Sequence, residues 1–228
     1  MDYIANGFFE AFHLLLDGDP ETFSAIWITL QVSGYAMAAS LMMGVPLGFF
    51  LGFYEFAGKR QLRVFVDTML SLPTVFIGLM VYVLLSKRGP LGEWDLLFTP
   101  EGIAIGLTIL ALPIIIALTA TAVESAEKDL ILTLLSLGAN QRQMLLTTLW
   151  ETRFGLIAAG ITAYGRVMTE VGISMMVGGN IKWHTRTITT AIALETNKGA
   201  FSTGVALGIV LLLIALFVNI SVSFLRRK

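Results

Sequence analysis

The chain is organised as five long apolar blocks separated by short polar connections. The blocks cover residues 24–54, 64–86, 103–123, 154–178 and 202–225. A bilayer core of about 30 Å takes roughly 20 apolar helical residues, and every block reaches that length. Because hydrocarbon offers backbone polar groups no other partner, each block is predicted to form one helix. The pattern predicts an all-α integral membrane protein with about five transmembrane helices.

Composition supports a lipid bilayer as the surroundings of the chain. Hydrophobic residues make up 56% of the 228 residues and charged residues 14%, whereas a soluble domain carries about a quarter charged residues. The net charge of −1 leaves no basic surplus to meet phosphates, which argues against a nucleic-acid partner. Cysteine is absent, so disulfides, thiolate metal sites and a cysteine nucleophile are excluded.

The first 23 residues contain the apolar stretch "GFFEAFHLLL", which is too short to span a bilayer. No basic residue precedes this stretch, so it does not resemble a signal peptide. An interfacial helix is predicted for residues 1–23, with a partial sixth span as the alternative. The whole chain, residues 1–228, is then a single transmembrane domain.

The distribution of lysine and arginine in the connections predicts the orientation. Five spans place the termini on opposite sides of the membrane. One side carries nine basic residues, namely Lys59, Arg60, Arg63, Lys128, Arg142, Arg153, Arg226, Arg227 and Lys228. The other side carries five, namely Lys87, Arg88, Lys182, Arg186 and Lys198. The positive-inside rule therefore predicts a multi-pass protein of the cell (inner) membrane with its N-terminus outside and its C-terminus in the cytoplasm.

The connection at residues 124–153 is too polar to cross a membrane, and its apolar residues fall at helical spacing around "LGANQRQ". This pattern predicts a helix, a break at Gly138 and a second helix. The stretch "LLSLGANQRQMLLTTLW" resembles the cytoplasmic signature of permease subunits of ABC importers: EAA, three residues, glycine and a hydrophobic stretch. Gly138 and Ala139 match the signature, while Leu132 stands where the family usually has glutamate.

That resemblance implies that residues 124–153 form a coupling loop that docks in a groove of a cytoplasmic ATPase subunit. The residues that would make this contact are Leu135, Ser136, Leu137, Gly138, Ala139, Asn140 and Gln141. The family also implies the fold of type I ABC importer permeases, called MetI-like. ATP and Mg would be bound by a partner ATPase dimer, and no cofactor is expected in this chain.

A second stretch, "YGRVMTEVGIS", resembles the "GRA-x-(S/G)-E-F-G" segment of permeases that import molybdate, tungstate, sulfate and phosphate. Gly165, Arg166, Glu170 and Gly172 match position by position, and Val171 replaces the usual phenylalanine. The stretches "GGNI" and "TRTITTAIALET" are closest to tungstate permeases. The resemblance implies import of an oxyanion, most closely tungstate, with molybdate or sulfate as the alternatives.

Two places in the chain are candidates for contact with the transported anion: the stretch with Arg166 and Glu170, and a later loop. Arg166 and Glu170 are four residues apart, so on a helix they share a face and can pair inside the membrane. The pair is a structural clasp, a contact on the translocation pathway through its arginine, or both, with the glutamate holding the arginine and releasing it when the helices shift. Outside, the stretch "GGNIKWHTRTITT" places Asn180, Lys182 and Arg186 either as anion contacts or as contacts with a partner protein.

The chain contains no energy source of its own. The nearest approach to a P-loop, "GFYEFAGKR", has the wrong spacing and follows a membrane helix. No Ser-His-Asp set, HExxH or other metal-ligand spacing is present, so the chain is not expected to be an enzyme or to hold a metal. An ATPase dimer, an extracytoplasmic oxyanion-binding protein and a second copy of the chain in a C2 dimer are the expected partners.

Two other classes of protein remain as alternatives. A secondary transporter would typically show an internal repeat and several ionisable residues at the membrane midplane, neither of which the chain shows. An integral-membrane enzyme would need a catalytic set near an interface. Glu124, Glu127 and Asp129 are the candidates for such a set, and they are more typical of a solvated turn that leads into the coupling loop.

Overall fold

The computed structural model describes residues 2–126 and 128–226, and every regular element in these ranges is helical. The α-helices are α1 Asp2–Leu16, α2 Pro20–Phe53, α3 Lys59–Met69, α4 Thr74–Leu85, α5 Pro100–Glu124, α6 Lys128–Ser136, α7 Gln141–Glu151, α8 Arg153–Met168, α9 Gly172–Gly178, α10 Ile188–Asn197 and α11 Phe201–Arg226. A short 3-10 turn, Gly92–Trp94, precedes α5. The predicted all-α fold class is confirmed.

Three helices within the described residues, α2, α5 and α11, are long and apolar enough to cross a membrane. The number becomes four if α3 and α4, which are bent by 95° at their junction, are counted as one span. The expectation that each apolar block forms one helix is therefore wrong for two of the five blocks.

The block at residues 64–86 is divided between α3 and α4. Pro73 is the N-cap of α4, with φ −62° and ψ 128°. Proline has no N–H to continue a helix and disfavours helical geometry in Leu72, the residue before it. By contrast, Pro46 and Pro113 lie inside the continuous helices α2 and α5. Membrane helices tolerate proline in their interior, and of these three prolines only Pro73 lies at a helix boundary, where α4 begins.

The block at residues 154–178 is divided between α8 and α9, because α8 ends at Met168 and α9 begins at Gly172. The break contains Glu170, a buried carboxylate. Its side chain takes up the first free N–H groups of α9, an arrangement that favours a new helix start over a continuous helix.

Close packing of α2 on α5 holds the largest part of the core. A Cβ atom added to Gly48 would lie 2.7 Å from the backbone oxygen of Ile116 and 2.7 Å from Thr119 Cβ. One added to Gly52 would lie 2.7 Å from the backbone oxygen of Ala120. This glycine face of α2 therefore contacts α5, where even a methyl group would not fit.

Helix α1 packs along the first turns of α11. A Cβ atom added to Gly7 would lie 2.7 Å from Val205 Cβ, which shows how close the two helices are. The other face of α1 is apolar and exposed, with Ile4, Phe9 and Leu16 among its side chains. The helix itself is as predicted for residues 1–23, and its place at the membrane interface stays a prediction.

Candidate functional site

The junction of α8 and α9 is built around Glu170, whose side chain is 3% exposed. The backbone N–H groups of Gly172 and Ile173 donate to Glu170 Oε1 at 2.9 and 3.3 Å. Its other oxygen, Oε2, lies 3.3 Å from Arg166 Nη1. One carboxylate therefore joins the end of α8 to the start of α9. A carboxylate at a helix N-terminus is also favoured by the helix dipole.

The structure brings Arg166 and Glu170 together, although not on one continuous helix as the sequence suggested. Arg166 lies on α8 and its side chain is 46% exposed, while Glu170 lies beyond the helix end and is buried. Thr162 and Thr169 are exposed on the same face of α8 as Arg166, four residues before it and three after it. This helix, which is otherwise largely apolar, thus carries one polar stripe, which lies outside the packed core of the single chain.

Buried threonines extend the network around Glu170. The hydroxyl of Thr189 donates to the backbone oxygen of Glu170 at 3.0 Å and lies 2.9 Å from the hydroxyl of Thr187, the N-cap of α10. Ile188, the residue after Thr187, donates its N–H to Thr29 Oγ1 on α2 at 2.9 Å. These contacts join four helices at one point. Sequence reasoning did not identify the role of the threonines, although the spacing Thr187–Thr190 is that of a capping box.

The three candidate residues of the loop between α9 and α10, Asn180, Lys182 and Arg186, also lie close together, and a carboxylate lies beside the two cations. Arg186 Nε donates to Asn180 Oδ1 at 3.2 Å. Glu21, at the start of α2, pairs with both Arg186 and Lys182, the latter at 2.6 Å. Sequence reasoning missed Glu21, which partly neutralises both cations. The arrangement ties the loop to α2, and a role in contacting an anion or a partner protein stays a prediction.

The connection at residues 124–153 forms the predicted helix, break and helix. Gly138 has φ +75°, a conformation that glycine adopts far more readily than other residues. Its N–H and that of Ala139 donate to the carbonyls of Leu135 and Leu134 at 3.0 and 2.9 Å, which ends α6. Asn140 starts α7 through a capping box. We call α6, the break and α7 the hairpin.

The seven predicted docking residues lie at the tip of the hairpin: Leu135 and Ser136 end α6, Leu137, Gly138, Ala139 and Asn140 form the break, and Gln141 begins α7. Exposed large apolar side chains of the hairpin are Leu135, Leu137, Leu146, Leu149 and Trp150. Apolar groups gathered on a protruding element are typical of a surface that contacts another protein. The side chain of Leu132, which stands at the glutamate position of the signature, lies outside the described residues.

Comparison with known proteins agrees with both resemblances. Residues 44–228 match the family described as "Binding-protein-dependent transport system inner membrane component". The tungstate uptake system permease protein TupB of Campylobacter jejuni subsp. jejuni serotype O:2 is 49% identical over 227 residues, covering 100% of this chain and 95% of the relative. TupB of Peptoclostridium acidaminophilum is 36% identical over 228 residues, covering 100% of both.

Among solved structures, the fold is similar to a chain of the inward-facing MetNI methionine ABC transporter, with a TM-score of 0.73 and 17% identity. The similarity covers 91% of this chain and 95% of that one. At this identity the comparison shows the fold alone, which is the MetI-like architecture predicted from the hairpin signature. The family assignment is supported by the helices long enough to cross a membrane, by relatives that match over the full length and by the shared fold. The chain belongs to the family of binding-protein-dependent transport system inner membrane components.

Proposed function

We propose that this chain is the permease subunit of an ATP-driven ABC importer that carries tungstate into the cell. The observation that carries the proposal is similarity over the full length to two tungstate uptake permeases, at 49% and 36% identity. Both stretches that carry the oxyanion resemblance, the segment around Arg166 and the threonine-rich outer loop, meet in the network around Glu170. Molybdate or sulfate import by the same kind of permease is the alternative.

The polar stripe of Thr162, Arg166 and Thr169 supports a pathway between two copies of the chain. A charged side chain that faces lipid at the bilayer centre costs at least roughly 2.5–3.5 kcal/mol, so such groups face protein or water. The stripe lies on an exposed face of the single chain. A second copy in a C2 homodimer would enclose it, and Arg166 would then attract a dianion along the pathway.

Glu170 would serve as the clasp of this arrangement. It is buried and holds Arg166, the start of α9 and, through its backbone oxygen, the start of α10. A carboxylate that pointed freely into the pathway would repel tungstate. Bound to the N–H groups of α9 instead, its negative charge is offset locally while Arg166 remains half exposed. Glu170 then acts as the clasp, and Arg166 is the contact on the pathway.

The hairpin would dock on a cytoplasmic ATPase dimer, which binds ATP and Mg. ATP binding would move the hairpin and open the pathway outward, where an extracytoplasmic binding protein delivers the anion. Hydrolysis would return the permease to its inward-facing state. The exposed leucines of the hairpin support its docking on another protein. The excess of basic residues on the side of the hairpin supports an orientation with the N-terminus outside and α1 at the outer interface.

Metal accumulation in cells tests the proposed substrate. Cells with and without the gene are supplied with nanomolar tungstate or molybdate in separate cultures, and tungsten and molybdenum are measured by mass spectrometry. We expect tungsten uptake without the gene to fall to the level of entry that does not use this transporter, while molybdenum uptake changes little. Equal loss of both would indicate a general oxyanion permease, and unchanged tungsten would contradict the proposal.

A further inference from the structure

An ionic cluster joins α3 to the end of α5, immediately before the hairpin. Glu124 is the last residue of α5. Its two oxygens lie 3.7 Å from Lys59 Nζ and 3.5 Å from Arg63 Nη1. Arg63 also donates to Thr121 Oγ1 at 2.6 Å. The side chains of Lys59 and Arg63 are only 16% and 23% exposed, so water screens the cluster less than it would screen a surface pair.

The same cluster reaches the end of α2. Lys59 Nζ donates to the backbone oxygen of Gly52 at 3.4 Å and pairs with Glu55 at 2.8 Å. Beneath it, Val66 of α3 is buried in a cluster with Leu51 of α2 and with Ala117 and Ala120 of α5. Helix α3 is thus attached by charge and by apolar packing to the ends of both long helices.

A cavity of about 480 Å³ lies between the end of α5, α6 and the junction of α7 and α8, with Ser125, Leu130, Glu151 and Thr152 among its lining residues. The hairpin is therefore not packed tightly against the end of α5 at this point, whereas Glu124 is bound to α3.

From α3, contacts lead on to the Arg166–Glu170 pair. After the bend at Pro73, α4 packs against α9 so closely that a Cβ atom added to Gly78 would lie 3.2 Å from Ile173 Cα. Ile173 in turn donates its N–H to Glu170. A chain of direct contacts therefore joins Glu124, beside the hairpin, to the carboxylate that holds Arg166.

We propose that Glu124, with Arg63 and Lys59, is a positioning cluster that carries movement of the hairpin to α3 and α4 and so to the Arg166–Glu170 pair. This inference rests on the proposed function, because it assigns the cluster to coupling between the ATPase and the pathway. Glu124 itself is 37% exposed, and a glutamine in its place can still accept hydrogen bonds from Arg63 and Lys59. Loss of the carboxylate charge should therefore leave the protein folded and weaken the link between the two ends.

A fluorophore on α4 tests this link without relying on the transported ion. The chain contains no cysteine, so Val83→Cys provides one labelling site on an exposed position of α4. The labelled permease is assembled with its ATPase and binding protein, and the fluorescence change on addition of ATP is measured. We expect Glu124→Gln to reduce this change at least about fivefold, the lower end of typical coupling between sites. ATP hydrolysis should continue.

Two further variants decide whether Glu124 acts through Arg63. Arg63→Gln should reduce the signal as Glu124→Gln does, and the double variant should lose no more than either single one, because both remove the same interaction. The matched control is Asp67→Asn, which removes a carboxylate that pairs with Arg63 within α3 at 3.5 Å and should leave the signal unchanged.

A wild-type signal in Glu124→Gln, multiplied losses in the double variant, or an equal loss in Asp67→Asn would each overturn the inference. The proposed function fails separately, if the wild-type complex shows the ATP-driven signal on α4 but takes up no tungstate.

Discussion

Replacing Glu170 by alanine is expected to lower the melting temperature of the purified permease by about 6–12 °C and to abolish uptake of tungstate, the proposed substrate. The substitution leaves the N–H groups of Gly172 and Ile173 without their acceptor and Arg166 without its partner. A hydrogen bond to a charged acceptor contributes about 1.5–3 kcal/mol, so loss of the two bonds from Gly172 and Ile173 costs about 3 kcal/mol or more, while the half-exposed Arg166 adds little. Thermal unfolding of the detergent-solubilised protein and uptake by cells are the two measurements.

Two other variants show which interaction of Glu170 matters. Glu170→Gln keeps an oxygen that can accept from Gly172 but loses the charge that holds Arg166, so its melting temperature should lie between those of the wild type and Glu170→Ala. Glu93→Ala changes an exposed glutamate in the 3-10 turn and should shift stability by no more than about 0.5 kcal/mol. Wild-type melting and uptake in Glu170→Ala would show that the carboxylate is not a clasp.

Gly138→Val is expected to remove coupling between ATP hydrolysis and transport while the protein stays in the membrane. Gly138 has φ +75°, and the left-handed conformation costs other residues roughly 1–2 kcal/mol. A β-branched side chain is among the least suited to it. The tip of the hairpin would change shape, and with it the docking surface for the ATPase. Uptake should fall at least about tenfold, equivalent to about 1.4 kcal/mol, and less ATPase should co-purify.

Gly138→Asn is the matched control, because asparagine adopts the left-handed conformation more readily than valine does. No heavy atom lies within 4 Å of a Cβ atom added at this position, so the added volume alone should be tolerated. We therefore expect Gly138→Asn to retain most of the uptake. Normal transport by Gly138→Val, measured at equal protein level, would show that the hairpin tip does not set the coupling.

The helical architecture could be predicted because a bilayer removes the alternatives to helix for a long apolar segment. The two broken blocks could not be found by counting apolar residues, since apolar residues continue on both sides of Pro73 and Glu170. Of these two breaks, the one at Pro73 could have been expected from the proline itself, but the length of the apolar block favoured a single helix. The break at Glu170 depends on how one side chain is placed against the backbone of α9, which the sequence pattern does not reveal.

The candidate site was predictable where its partners are close in sequence. The spacing of Arg166 and Glu170 predicted their pairing, and Gly138 predicted the break of the hairpin. The remaining partners are distant along the chain: Arg186 pairs with Glu21, 165 residues away, and Ile188 bonds Thr29, 159 residues away. Such contacts follow from the packing of α2 against the outer loop, which a single sequence without a fold does not supply.

The most direct test of the account is transport by the purified complex in lipid vesicles. Permease, ATPase and binding protein are reconstituted with ATP on the side of the ATPase, and radiolabelled tungstate is supplied on the side of the binding protein. The account predicts that tungstate accumulates only when ATP and the binding protein are present. Excess unlabelled molybdate should reduce this accumulation only weakly, and Glu170→Ala should abolish it. Accumulation without ATP, or none with all components present and ATP being hydrolysed, would contradict it.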